Sequence, residues 1–105
     1  MAQFDVYENK HPKTRRLVPY LLDVQSDLLS DLATTVVIPL CLAAGGNPSS
    51  MTRLMPRLEI KTEYYLALTP QLAGISRKEL GAVVDNVSAY RNDIIGALDF
   101  LITGI

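Results

Sequence analysis

Apolar residues change their spacing once along this chain of 105 residues, and that change sets the order of its secondary structure. From Val87 onward they recur every three or four positions, at Val87, Tyr90, Ile94, Leu98, Leu101 and Ile105, which marks one face of an α-helix. Upstream the period is shorter. QFDVY (3–7) alternates, with Phe4 and Val6 on one face. LVPYLLDVQSDLL (17–29) reads as one long strand, and VVIPL (36–40) as a buried one. Pro39 has no amide hydrogen to give a ladder, so the strand is expected to end or turn there. LEI (58–60) and YYLALT (64–69) flank Lys61, Thr62 and Glu63 as a hairpin, with Tyr64 and Tyr65 on opposite faces. KHPKTRR (10–16), SDLATT (30–35) and AAGGNPSS (43–50) read as loops and connectors. Ser76–Glu79 fits a helix capping box, but Gly81 and the pair Val83–Val84 argue for an extended segment. Five short strands before one helix favour a small barrel or a compact two-sheet β fold.

The length suits a single domain, 1–105, able to bury a core without metal or disulfide staples. Cys41 stands alone, so no internal disulfide forms and a reducing compartment is the simple expectation. The first residues, MAQFDVYENK, carry charge early and show no signal region. VVIPLCLAA (36–44) is too short to span a membrane. A soluble cytoplasmic protein without membrane contact is expected. A net charge of −1 argues against a surface that tracks phosphates.

No catalytic, metal or cofactor constellation emerges. His11 lies in a charged loop and reads as solvated. Asp23 and Asp27, four apart on the presumed strand, fall on one face, where two carboxylates can do acid–base work; two solvated acids near a strand end are the simpler reading. GGNPSS (45–50) lacks the Lys-Ser/Thr of a phosphate loop and reads as a turn. Lys10, Lys13, Arg15 and Arg16 make a local basic patch. At the other end, Ser88 or Asp85 can cap the helix, while Ile95 and Ile102 widen its stripe beyond what a small sheet covers, and a second copy would supply the rest. Gly104 is placed to turn left-handed. Ile105 then either folds back on Phe100 as a clasp or stays exposed to fill a partner's pocket. The residues alone leave both readings open.

The segments QFDVY (3–7), LLDVQSDLL (21–29), VVIPL (36–40) and RNDIIGALDFLITGI (91–105) resemble, in order and over essentially the full length, the CcdB family. These are toxins of the CcdA–CcdB toxin–antitoxin systems. The resemblance implies a small SH3-like barrel with a C-terminal helix, the fold also of the MazF and Kid ribonuclease toxins, assembled as a homodimer. It implies a protein that is not an enzyme. Such a toxin binds the A subunit of DNA gyrase and traps it on cleaved DNA. A CcdA-like antitoxin neutralises it through a disordered acidic segment, and operator DNA is met only through the antitoxin complex. Carried over residue by residue, the gyrase face is Gln3, Phe4, Tyr7, Ser26, Leu28, Asp99, Thr103, Gly104 and Ile105, where Asp99 replaces a family Asn. Charge and position suggest Lys10, Lys13, Arg15 and Arg16, with the stretch 43–50, for the antitoxin. Two departures stand out. Thr103 occupies the place of a Trp before Gly-Ile, and Thr35 that of a basic residue before the VIPL run. The first keeps a non-toxic, antitoxin-binding relative as an alternative, beside a less favoured MazF-like endoribonuclease.

Overall fold

A computed structural model describes residues 2–43 and 53–104, and among these seven strands precede one helix. The strands are β1 (Asp5–Asn9), β2 (Tyr20–Asp23), β3 (Thr34–Leu42), β4 (Arg57–Ile60), β5 (Glu63–Ala67), β6 (Ala73–Ser76) and β7 (Leu80–Asn86), and the helix is α1 (Arg91–Thr103). The strands pair antiparallel in the order β4-β5-β3-β2-β1-β7, with β6 on β3. The long β3 serves both: its first half, Thr34–Val37, pairs with β6 and its end, Leu40–Leu42, with β5. The protein is thus mainly β with a C-terminal helix, its sheet curled into a half-barrel, as the change of period predicts.

Strand alternation divides the apolar residues between two cores. Val6, Leu22 and Ile38 join Phe4, Val87 and the helix residue Ile94 in the larger one. Their chain neighbours Tyr7, Leu21 and Val37 face the other way and close with Leu80 into a second cluster inside the curl. Gly81 lets β7 come close to β1, because a Cβ there would sit 2.8 Å from the Glu8 carbonyl oxygen.

Four expectations need correction. First, β3 runs straight through Pro39. Within a strand the amide and carbonyl of one residue face the same edge, and the Pro39 carbonyl accepts from Leu68 N at 2.9 Å. The missing amide hydrogen therefore falls in the gap where β5 has ended and β6 has not begun, and no ladder bond is lost. Second, 17–29 is not one strand. Leu17 and Val18 donate back to the Thr14 carbonyl, the Asp23 carboxylate accepts from Gln25 N, and Ser26 Oγ caps a 3₁₀ turn over Asp27–Leu29. Short polar side chains competing for backbone leave only Tyr20–Asp23 in the ladder. Third, β6 and β7 exceed the five expected strands. Ser76 does cap, its Oγ accepting from Lys78 N, but the result is a single 3₁₀ turn (Arg77–Glu79) before the extended Val83–Val84 segment. Fourth, neither Ser88 nor Asp85 caps α1. The Asn86 carboxamide accepts from Ser88 N at 3.0 Å, and a 3₁₀ turn over Ser88–Tyr90 leads into the helix.

The β4–β5 hairpin forms as expected, with Tyr65 buried and Tyr64 exposed under the Arg57 guanidinium. Its two-residue turn is Lys61–Thr62, and both have positive φ, 51° and 73°. That is the backbone a primed hairpin turn demands, and a β-branched threonine is strained in it. Replacing Lys61–Thr62 by Asn-Gly should stabilise the fold by about 1 kcal/mol, read as a higher urea midpoint at unchanged slope.

Candidate functional site

The N-terminal segment and the turn after β2 form one hydrogen-bonded corner. Gln3 N donates to the Asp27 carboxylate at 2.7 Å, and its side-chain amide donates to the Val24 carbonyl at 3.0 Å. Phe4 is buried and takes the left-handed backbone, φ 71°, which turns Gln3 outward while Phe4 N donates to the Asp23 carbonyl. On the same turn Ser26 is exposed with its Oγ accepting from Leu28 N, and Leu28 is 94% exposed. This apolar side chain stands on a turn held by hydrogen bonds from both sides. Leu29 and Leu32 extend the exposed apolar surface.

Three residues beyond those that the resemblance names organise this corner, Asp23, Arg77 and Asn86. Asp23 is not solvated but almost fully buried: its carboxylate accepts from the Thr35 hydroxyl at 2.7 Å and lies 3.9 Å from the Arg77 guanidinium. Asp27 is exposed on the 3₁₀ turn, so the two acids share neither a strand nor a face. Arg77 reaches from the turn after β6 to donate to the carbonyls of Leu32 (2.7 Å) and Leu29 (3.3 Å). Thr35, where the resemblance calls for a basic residue, therefore works as a donor to Asp23, and Arg77 brings the cation from another element. Asn86 is the second hub: its amide donates to the Asp5 carboxylate and the Gln3 carbonyl, tying the corner to the approach of α1.

Tyr7 lies inside the second cluster, 3% exposed, and its hydroxyl has no hydrogen-bond partner among the described residues. Burial pushes its pKa above the usual 10, and the nearby charges of Asp5 and Asp23 push it further. Burial raises Tyr65 too, with Tyr20 adding to it. Both hold their proton more tightly folded than unfolded, so their contribution is complete below about pH 10 and is lost as pH rises through the folded values. Tyr7→Phe removes an unsatisfied polar atom. It should leave stability at pH 7 unchanged or raised by about 1 kcal/mol and push the alkaline transition upward, as pH-dependent denaturation would show.

Asp99, Thr103 and Gly104 lie on a different element, the last turn of α1. All are exposed, and Thr103 Oγ1 donates to the Asp99 carbonyl at 2.7 Å. Gly104 is left-handed at φ 72°, its amide on the Phe100 carbonyl, which satisfies an otherwise orphaned helix end. Ile105 lies outside the described residues. Exposure rises along the helix: Ile94 is fully buried, Leu98 and Leu101 half-buried, and Ile102 is 78% exposed.

Lys10, Lys13, Arg15 and Arg16 are all exposed on the β1–β2 connection. That loop is structured: the His11 carbonyl accepts from Thr14 N and Arg15 N, and Asn9 Nδ2 donates to Thr14 Oγ1 and the Val18 carbonyl. Of the stretch 43–50 only Ala43 is described. No helix among the described residues is long and apolar enough to cross a membrane. The family model described as CcdB protein matches residues 3–104.

Proposed function

Because this chain belongs to the CcdB family, the toxins of toxin–antitoxin systems, we propose that it poisons DNA gyrase by binding its A subunit and trapping the covalent cleaved-DNA complex. The observation that carries the reading is the exposed Leu28, held with Ser26 and Gln3 on a hydrogen-bonded turn. Leu28 offers an apolar anchor, Ser26 and Gln3 offer polar groups beside it, and the turn loses little freedom on binding. Phe4 acts beneath this corner as a positioning residue, and Tyr7 stands in the second cluster on the other side of the sheet, both buried. Asp99, Thr103, Gly104 and Ile105 complete the contact from the helix end.

A homodimer is part of this reading. The rising exposure of α1 leaves Leu101 half-covered and Ile102 bare, and a two-fold copy of the same surface supplies the rest. Such a dimer presents two helix ends together to a two-fold target. A CcdA-like antitoxin meets the basic loop of Lys10, Lys13, Arg15 and Arg16, and operator DNA is reached through that complex. Because the toxin works by holding another enzyme, it needs no catalytic residue or cofactor of its own.

Expression in growing bacteria tests this directly. Growth should stop in cells with ordinary gyrase and continue in cells whose gyrase A subunit is resistant to such poisons. Equal arrest in both would point to the ribonuclease alternative, and arrest in neither to a relative that only binds antitoxin.

A further inference from the structure

A groove of about 310 Å³ lies between the segment that leads into β4 and the first turns of α1. Arg53, Pro56 and Arg57 form one wall, and Asn92, Asp93 and Gly96 form the other. We propose that this groove binds a small phosphate monoester. The two guanidiniums grip its phosphate, and its hydroxyl-bearing part lies along the helix wall. None of these six residues belongs to the gyrase face or to the basic loop, so the inference goes beyond the reading given above and does not depend on it.

Three observations support it. First, both guanidiniums are held in place. Arg53 lies over the Phe100 ring, 4.7 Å from its centre, and Arg57 over the Tyr64 ring at 4.8 Å. A stacked guanidinium keeps its N–H edge for hydrogen bonding, and two such forks match a dianion with several oxygens better than a single carboxylate. Second, the walls are already formed. The buried Pro56 accepts from Ala67 N at 3.0 Å, and Glu59 N donates to the Tyr90 hydroxyl at 3.2 Å, which ties β4 to the entry of α1. Little order is therefore lost on binding. Third, charge and space select the ligand. Asp93 sets one carboxylate against two guanidiniums, which leaves one net positive charge and an acceptor for a hydroxyl. A whole-chain charge of −1 disfavours tracking a polyanion across the surface, whereas one phosphate needs only this local cradle. At Gly96 a Cβ would meet nothing within 4 Å, so the carbon frame of a ligand fits where a side chain would otherwise stand. The volume is at the small end of ligand sites, the scale of a sugar phosphate.

The test titrates the full chain with ribose 5-phosphate, with ribose and with a short DNA duplex at constant ionic strength, by calorimetry and by amide NMR. Ribose 5-phosphate should bind and shift the amides of Arg57, Asn92 and Gly96, and ribose should do neither. Two variants should each bind about tenfold more weakly or worse: the double variant Arg53→Gln/Arg57→Gln, which removes the charge, and Gly96→Leu, which fills the groove from an exposed helix position. Arg15→Gln on the basic loop should bind normally. Circular dichroism verifies that each variant is folded. No binding of ribose 5-phosphate to the folded wild type, or equal affinity in both groove variants, overturns the site. Tighter binding of the duplex than of the sugar phosphate, lost in the same variants, overturns the monoester and assigns the groove to nucleic acid.

Discussion

Asp23→Ala should cost the fold about 3 kcal/mol, one of the largest effects expected of a single substitution here. The carboxylate is almost fully buried, and three groups rely on it: the fully buried Thr35 hydroxyl, the Gln25 amide and the Arg77 guanidinium. Removing it leaves a buried donor without its acceptor and a largely shielded cation without its counter-charge. Arg77 keeps its bonds to Leu29 and Leu32, which holds the loss toward the lower end of the range for broken buried pairs. Asp23→Asn keeps the volume and one acceptor oxygen, so it should cost about half as much. Urea denaturation reads both. A loss below about 1 kcal/mol for Asp23→Ala would mean that the pair is not what holds the turn after β2. The same substitution should weaken gyrase binding beyond the stability loss, because the corner that presents Leu28 is built on this carboxylate.

The second large effect concerns the helix. Ile94→Ala should cost about 3 kcal/mol and lower the helical signal in circular dichroism near the transition. A helix of 13 residues is marginal alone, and α1 has no side-chain cap at its start. Its attachment rests on Ile94 and Ala97, which are fully buried, with Ile95 and Leu98 packed against the core beside them. The contrasting substitution is Ile102→Ala. Ile102 is 78% exposed, so its loss should change the stability of the isolated subunit by less than about 0.5 kcal/mol. If the homodimer covers the helix end, the same substitution should raise the dimer dissociation constant, which concentration-dependent sedimentation measures.

Periodicity carried much of the architecture. The helical stripe over 87–105 and the alternation in β1 and the hairpin were legible because burial leaves a repeating signature. What stayed hidden depends on tertiary partners. Pro39 sits in the middle of β3 because two different strands share one edge of it, and no local rule records that gap. The break after Asp23 was signalled by Asp and Ser, residues that bond to nearby backbone, yet the apolar residues around them suggested continuous strand. At the candidate site, Ser26 and Leu28 were found through resemblance and proved to lie on the exposed turn. Arg77 and Asn86 were missed, because Arg77 meets Asp23, Leu29 and Leu32, and Asn86 meets Gln3 and Asp5, only after the sheet has curled. Reading Asp23 as solvated failed for the same reason: its partners, Thr35 and Arg77, lie 12 and 54 positions away.

The central claim is that this chain holds gyrase on cleaved DNA through the corner at Leu28 and the end of α1. The measurement closest to it incubates purified protein with DNA gyrase, ATP and plasmid DNA, then scores linear DNA after detergent and protease. The full chain, Leu28→Ala and a chain lacking Gly104 and Ile105 are compared, each verified as folded. The account predicts linear DNA with the full chain, a reduction of about tenfold or more with Leu28→Ala, and none with the truncation. No linear DNA with the folded full-length chain, or undiminished trapping by both variants, would contradict it.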